Sequence, residues 1–199
     1  MTSGGPAHVV LDGPAGEPAF LIALTHGSGG TPGTADVLAV RDAALARGGM
    51  TALVTQPYRV RGARAPGSAT RQDAAWTEII AALTAGTGAA DVPLIQGGRS
   101  NGARVVCRTA KAAGAVGAVA LAFPLRPPGD PGKSRDAELR GAGTSVLVVN
   151  GDRDPFGVPE PDALTRVVVL PGETHALSRH PAAIGEAFAE WLVELLRLA

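Results

Sequence analysis

The sequence predicts an α/β architecture: a mostly parallel, doubly wound sheet with helices on both faces. Three observations point there. Apolar runs of strand length alternate with segments of helical spacing along most of the 199 residues. The runs are apolar throughout instead of alternating with polar residues, as strands covered on both sides are. The polar residues of chemical interest (His26, Ser100, Asp152, Asp154 and His175) each lie in a loop that directly follows such a run. That is the edge where open α/β sheets bind ligands.

In chain order, a Gly/Pro-rich lead precedes the first strand, 19–25, which stops at His26-Gly-Ser-Gly-Gly30. Thr34 is placed to cap a helix running through Arg47, with Val37, Leu38, Ala44 and Leu45 on one side and Gly48-Gly49 after it. The second strand, 50–55, leads into a loop carrying Arg59, Arg61, Arg64 and Arg71. Thr70 with Asp73 reads as the start of a helix whose stripe of Trp76, Ile79, Ile80 and Leu83 belongs to the core. A short strand, 92–95, a turn at Ser100 and a helix to about Ala113, ended by Gly114, come next. The fourth strand, 116–123, opens into a Pro/Gly-rich loop, 124–132, and a short polar helix, 134–140. Strands 144–150 and 166–170 follow, and Pro181 opens a last helix with Ile184, Phe188, Trp191, Leu192 and Leu195 inward.

Length and charge narrow the function classes. A chain of 199 residues is expected to form one domain, residues 1–199, with a substantial core. Eighteen Lys+Arg balance eighteen Asp+Glu, and the sequence pI is about 6.9, so no overall basic field draws nucleic acid or an anionic membrane. Lys111 and Lys133 are the only lysines, a bias read as codon composition. Cys107 is the only cysteine, which excludes an intrachain disulfide and a thiolate metal cluster. The N-terminus lacks a signal-peptide pattern, and the most apolar segment, 115–123, is too short and too Gly/Ala-rich to span a bilayer. The expectation is a cytoplasmic protein.

The chemistry centres on Gly98-Arg99-Ser100-Asn101-Gly102. A strand, a tight turn with a serine at its tip and a helix require small residues two positions either side of the serine, where bulk would collide with adjacent elements. Gly-x-Ser-x-Gly alone is a weak pattern in a glycine-rich chain; the flanking strand and helix make it specific. A serine hydroxyl needs a base in hydrogen-bond reach, and the base needs an anionic partner. Of the four histidines, His8 lies in the lead, His26 precedes the glycine loop, and His180 sits against Pro181, where capping explains it. His175 alone lies in a loop after the last strand and before the final helix.

At this point the chain, from Ala19 onward, resembles an α/β-hydrolase of the small, capless kind, similar to dienelactone-hydrolase-like and bacterial carboxylesterase-like proteins. The resemblance rests on the His26-Gly-Ser-Gly-Gly loop, the serine turn, the Asp after a strand and the late His, in that order. It implies Ser100 as nucleophile, His175 as base and, from the spacing after Gly151, Asp154 as acid, with Asp152 as competitor and Asp130 as a third candidate. It further implies an oxyanion hole from the backbone amides of Asn101 and Ser28, with Gly29 as the fallback for Ser28. The glycine loop lacks the Lys-Ser/Thr of a phosphate loop and the Gly-x-Gly-x-x-Gly spacing, and Gln56-Pro57 ends the next strand without an acid for a ribose. No His-Glu-x-x-His occurs, so neither a metal nor an organic cofactor is expected. Cys107, two turns beyond Ser100, reads as a buried structural thiol.

The interval from Pro124 to Gly143 is too short for a separate cap domain, so an open cleft is expected, shaped by the loops 59–70 and 124–132. His26, Gly27, Gly29, Arg59, Arg99 and Arg126 are candidate substrate contacts. The arginines at the mouth (Arg59, Arg61, Arg64, Arg99 and Arg126) either favour an anionic substrate or simply solvate the surface and pair with nearby acids. Arg99, a large cation beside the nucleophile, points either into the cleft or away from it. The activity implied is hydrolysis of an ester or thioester of small to medium size, with a small molecule as partner. The alternatives are an acyltransferase or perhydrolase using the same residues, and a non-catalytic binding module.

Overall fold

The computed structural model describes residues 1–127, 129–130 and 132–198; Pro128, Pro131 and Ala199 lie outside the described residues, two of them in the expected loop 124–132. The elements, in order, are β1 (His8–Asp12), β2 (Leu21–Thr25), α1 (Ala35–Leu45), β3 (Met50–Thr55), α2 (Pro57–Val60), α3 (Ala69–Gly86) and β4 (Leu94–Arg99). They continue with α4 (Asn101–Thr109), β5 (Gly117–Leu121), α5 (Asp136–Arg140), β6 (Ser145–Gly151), β7 (Thr165–Leu170) and α6 (Pro181–Leu198). The strands form one sheet in the order β1-β3-β2-β4-β5-β6-β7. All neighbours run parallel except β1, which pairs antiparallel with β3, His8 opposite Thr55.

Period-two alternation divides the core. On one face Leu21, Ala23, Leu94, Val146 and Val148 pack against Trp76, Ile79 and Ile80 of α3, Val105 and Val106 of α4, and Leu139 of α5. On the other, Ile22, Leu24, Ile95, Leu147 and Val149 meet Val37 and Val40 of α1 and Ile184, Phe188 and Trp191 of α6. Both faces are buried under helices, which is why the strands read as continuous apolar runs. Removing one fully buried side chain, Leu147→Ala for instance, would cost about 2–5 kcal/mol.

Several boundaries differ from the sequence expectation. The lead is not merely a lead: β1 is a seventh strand, mostly exposed, so it shows no apolar run. Residues 57–60 form a single helical turn, α2, where a loop was expected. Ser68, not Thr70, caps α3, its hydroxyl accepting from the Arg71 amide at 3.4 Å. Thr34 stands at the N-cap of α1 in extended conformation but its side chain makes no capping bond. The third strand runs on through Gly97 and Gly98 to Arg99, because these glycines stay in register with Leu24 and Thr25 on one side and Val119 and Ala120 on the other. The helix after Ser100 ends at Thr109, and a turn carries the chain to Gly114 at φ +68°. Between β5 and β6 the described residues contain only α5, so no cap covers the carboxyl edge of the sheet.

Candidate active site

Ser100 sits between β4 and α4 at φ +54° and ψ −112°, a backbone conformation that costs energy for any residue with a side chain. Its amide is anchored to the Leu121 carbonyl at 2.8 Å, extending the ladder to β5 by one bond. The glycines on either side are sterically required. A Cβ on Gly98 would overlap the Gly102 backbone, and one on Gly102 would come within 2.6 Å of the His26 carbonyl oxygen. The turn is therefore tight because strand, helix and the end of β2 all meet there. Cys107 is buried on α4, and burial pushes its thiol up to about 12, leaving it without thiolate character.

Three residues far apart in sequence meet at this turn. Ser100 Oγ lies 2.9 Å from His175 Nε2, and His175 Nδ1 lies 2.8 Å from Asp154 Oδ2. With Nδ1 donating to the carboxylate, Nε2 is left to accept the serine proton. The Asp154 carboxylate is fully shielded from solvent. Its Oδ1 accepts from the Phe156 amide at 2.9 Å, and Asn150 Nδ2 approaches Oδ2 at 3.5 Å. Asp152 is exposed and turned away, accepting from the Gly172 amide at 2.7 Å. Asp130 is exposed and 3.9 Å from Lys133. Neither touches the histidine.

Phe156 sets its ring edge-on to His175, centroids 4.6 Å apart. Glu173 holds the loop that carries the histidine: its buried carboxylate accepts from the amides of Ser178, Arg179 and His180 at 3.2, 2.6 and 2.8 Å. Burial works to raise the Glu173 carboxyl, but these amides and His180 outweigh it and hold it below the usual range. The His180 ring is itself drawn to this carboxylate, Nδ1 lying 3.2 Å from Glu173 Oε1. Nothing in the residue pattern marked Glu173 or Phe156 beforehand; each acts through the path of its loop.

The glycine loop after β2 folds over the serine turn. Ser28 and Asn101 line a cleft of about 140 Å³ with Ser100, Arg104, Pro124, Arg135 and Phe156. The Ser28 amide has no acceptor among the described residues, and Asn101, as the first residue of α4, has none within its helix. Tyr58 Oη pins the loop by donating to the Ser28 carbonyl at 3.0 Å. Burial pushes the Tyr58 phenol up to about 12, so it remains a neutral donor. The Asn101 side chain donates to Gln72 Oε1 at 2.6 Å, tying α4 to α3.

The candidate substrate contacts divide. His26 is a correction: it is wholly buried, Nδ1 donating to the Gly27 carbonyl at 2.8 Å and Nε2 accepting from the Gln56 amide at 3.0 Å. Burial lowers its pKa and keeps it neutral, a strut under the loop. Gly27 is buried against the nucleophile, with Ser100 Cβ 3.3 Å from where its own Cβ would lie, and Gly29 is exposed at the loop tip. Arg59 is also corrected: its guanidinium donates to the Gly30 and Ala63 carbonyls at 3.2 and 3.0 Å and braces the loops. Arg99 points away from the cleft, Nε 3.0 Å from buried Asp36 and Nη2 donating to the His175 carbonyl at 2.8 Å. Burial raises the Asp36 carboxyl, and the Arg99 charge opposes that rise. Arg126 is exposed and, like Arg61 and Arg64, does not line the cleft.

The cationic residues that do line it are Arg104 and Arg135, which the sequence did not single out because only the fold of α4 and α5 brings them there. The stretch 59–70 shapes instead a separate cavity of about 390 Å³, bordered by Tyr58, Arg61, Arg71 and Gln72 and by none of Ser100, Asp154 and His175. Among the described residues, no group of three or more His, Cys, Asp or Glu is placed to hold a metal ion, and no helix is long and apolar enough to cross a membrane.

Comparison with known proteins accords with this architecture. Est1E from Butyrivibrio proteoclasticus, solved with ferulic acid bound, superposes with a TM-score of 0.75 at 19% identity, covering 99% of this chain and 98% of that one. An a/b serine hydrolase without lid from Xanthomonas campestris gives 0.73 at 18% identity over 98% and 93% of the two chains. A dienelactone hydrolase from Anabaena variabilis gives 0.75 at 17% identity over 98% and 94%. These likenesses are likenesses of fold. No curated protein matches the chain in a search by sequence. The profile of a family described as an alpha/beta hydrolase domain matches residues 18–172, most of the chain. Among its described residues it carries no cap, and the protein belongs to the alpha/beta hydrolase family and is a hydrolase.

Proposed function

We propose that the 199 residues act as one domain that hydrolyses a carboxylic ester of small to medium size through Ser100, His175 and Asp154. One observation carries this reading: the unbroken chain of hydrogen bonds from Ser100 Oγ through both imidazole nitrogens to the Asp154 carboxylate, at 2.9 and 2.8 Å. Ser100 Oγ attacks the ester carbonyl as its proton passes to His175 Nε2. Asp154 steadies the imidazolium that results. The oxyanion is met by the amides of Ser28 and Asn101, residues that line the same cleft and whose amides have no other acceptor among the described residues.

Collapse of the tetrahedral species expels the alcohol, which takes the proton from Nε2. A water then gives its proton to the same nitrogen and attacks the acyl-serine, and the second collapse restores Ser100 and frees the acid. A strained serine backbone suits this cycle, since it holds Oγ clear of the helix and aimed at His175. Dienelactone hydrolase is named for a lactone, an internal ester, and shares this fold, which favours ester over other acyl substrates.

Treatment with a fluorophosphonate at neutral pH is expected to place one adduct on Ser100 and none on Ser100→Ala. No adduct on the unaltered protein would sink the reading. Product analysis with p-nitrophenyl esters then distinguishes transfer to water, giving the free acid, from transfer to another acceptor.

A further inference from the structure

We propose that the Ser100 cleft selects esters bearing a carboxylate, and that the Arg135 guanidinium holds that carboxylate. The proposal rests on the hydrolase reading above and deepens it. The cleft lining contains two cations, Arg104 and Arg135, and no acid. The two differ in what faces them. Arg104 is neutralised by a bidentate pair with Glu138, Nε to Oε2 at 2.9 Å and Nη2 to Oε1 at 2.7 Å. Glu138 also takes Arg108 Nη1 at 2.8 Å, and Arg108 closes a second bidentate pair on Asp73 at 2.8 and 2.6 Å. Both acids of the cluster are thereby committed to Arg104 and Arg108.

Arg135 is a third guanidinium of the cluster, close enough to Glu138 to feel its charge. Its Nη1 donates to the Pro124 carbonyl at 3.3 Å, and among the described residues no carboxylate lies within ion-pair reach. One positive charge of the cluster is left over, and it lies on the wall of the cleft that holds Ser100 Oγ. Burial, and after it the charge of Arg104, lowers the Arg135 pKa: its surroundings penalise the cation, a penalty that an incoming anion relieves.

Position and shape fit the role. The Arg135 amide donates to the Leu125 carbonyl at 2.8 Å, which fixes the base of the side chain against the strand-end segment. A guanidinium presents a planar fork that a carboxylate matches with two bonds, so the site orients the ester as well as attracting it. At about 140 Å³ the cleft admits a short chain between the ester carbonyl and the anionic group. Phe156, apolar and packed on His175, also lines the cleft and offers a charged group no partner, which leaves Arg135 to take it.

Two substrate pairs test this and separate the acyl from the alcohol side. The first is mono-p-nitrophenyl succinate against neutral p-nitrophenyl isocaproate. The second is para-carboxyphenyl acetate against para-isopropylphenyl acetate. The reading is the ratio of kcat/KM for the anionic ester to that for the neutral one. In one of the two pairs, Arg135→Gln is expected to lower that ratio about tenfold, Arg135→Glu to lower it further, and Arg135→Lys to restore part of it. Arg126→Gln, an exposed arginine outside the cleft, keeps the ratio of the unaltered protein. Added salt shrinks that ratio, since the charge is partly open to solvent. A ratio that Arg135→Gln leaves unmoved in both pairs, with neutral esters still turned over, overturns the anion site and leaves the hydrolase reading standing. Failure of the unaltered protein to turn over any of the four esters or to take the fluorophosphonate brings down both.

Discussion

The floor beneath Ser100 and the rim above it are built on opposite terms. Below, groups are paired: Arg99 Nε lies 3.0 Å from the Asp36 carboxylate as an ion pair without hydrogen-bond alignment, both ring nitrogens of His26 are bonded, and Tyr58 donates to the loop. Above, the Ser28 amide has no acceptor and Arg135 has no counter-charge among the described residues. The same residue types occur in both regions, arginine most plainly. What separates them is committed bonding: matched groups hold geometry, and unmatched groups at a cleft are available to a ligand.

This contrast can be broken at four points, taken from the largest expected effect. Ser100→Ala removes the group the rim serves and touches nothing in the floor. Ester turnover is expected to fall about ten-thousand-fold or more, with the urea midpoint close to that of the unaltered protein.

Arg99→Met attacks the floor. It strands the buried Asp36 carboxylate and frees the His175 carbonyl, so a loss of about 3–5 kcal/mol is expected in urea unfolding near neutral pH. Asp36 already titrates high, so the deficit should narrow as the pH falls and that carboxyl takes a proton. A deficit that stays constant with pH would show that Asp36 is not the stranded partner.

Gly98→Ala forces a methyl into the α4 backbone, and about 1–3 kcal/mol of stability should go with it. Gly29→Ala, at the open loop tip where an added Cβ meets nothing, serves as the comparison and should cost well under half of that.

The smallest effect is a pH slope. His26 has a folded pKa below its ordinary value, so the unfolded chain binds a proton first as pH falls. Its contribution to stability is therefore full above about 6.5 and declines below it as the folded value is approached. His26→Asn, which can still donate to Gly27 and accept from Gln56, should flatten the Tm-against-pH curve in that window. Equal slopes in both proteins would remove His26 as the titrating group.

How much of this could be read in advance follows the same division. That Ser100, His175 and an aspartate of the 151–154 loop would converge was legible because each follows a strand, and a parallel sheet delivers all such loops to one edge. The choice of Asp154 over Asp152 came from the family resemblance and not from the pattern of strands. The glycines at 98 and 102 were legible for the steric reason the structure displays. β1 was not, because an exposed edge strand needs no apolar run. Nor were Arg104, Arg135 and Phe156, whose relevance depends on where α4, α5 and the loop after β6 come to rest. The arginines that looked suggestive by position, Arg59 and Arg99, turned out to be braces. Charge is visible in a sequence, but its neutralisation is a tertiary fact.

The topology also has a dynamic consequence. Ser100 hangs from β4, near the middle of the sheet, whereas His175 follows β7, an outermost strand bonded on one side alone. Hydrogen exchange should therefore find two cooperative opening units, with β7 and its loop exchanging well before β4 and β5. The Arg99 bond to the His175 carbonyl crosses between those units. An excursion of the outer unit would part base from serine while the sheet's interior stays folded, so operating temperature would be limited by the edge before it is limited by the melting point.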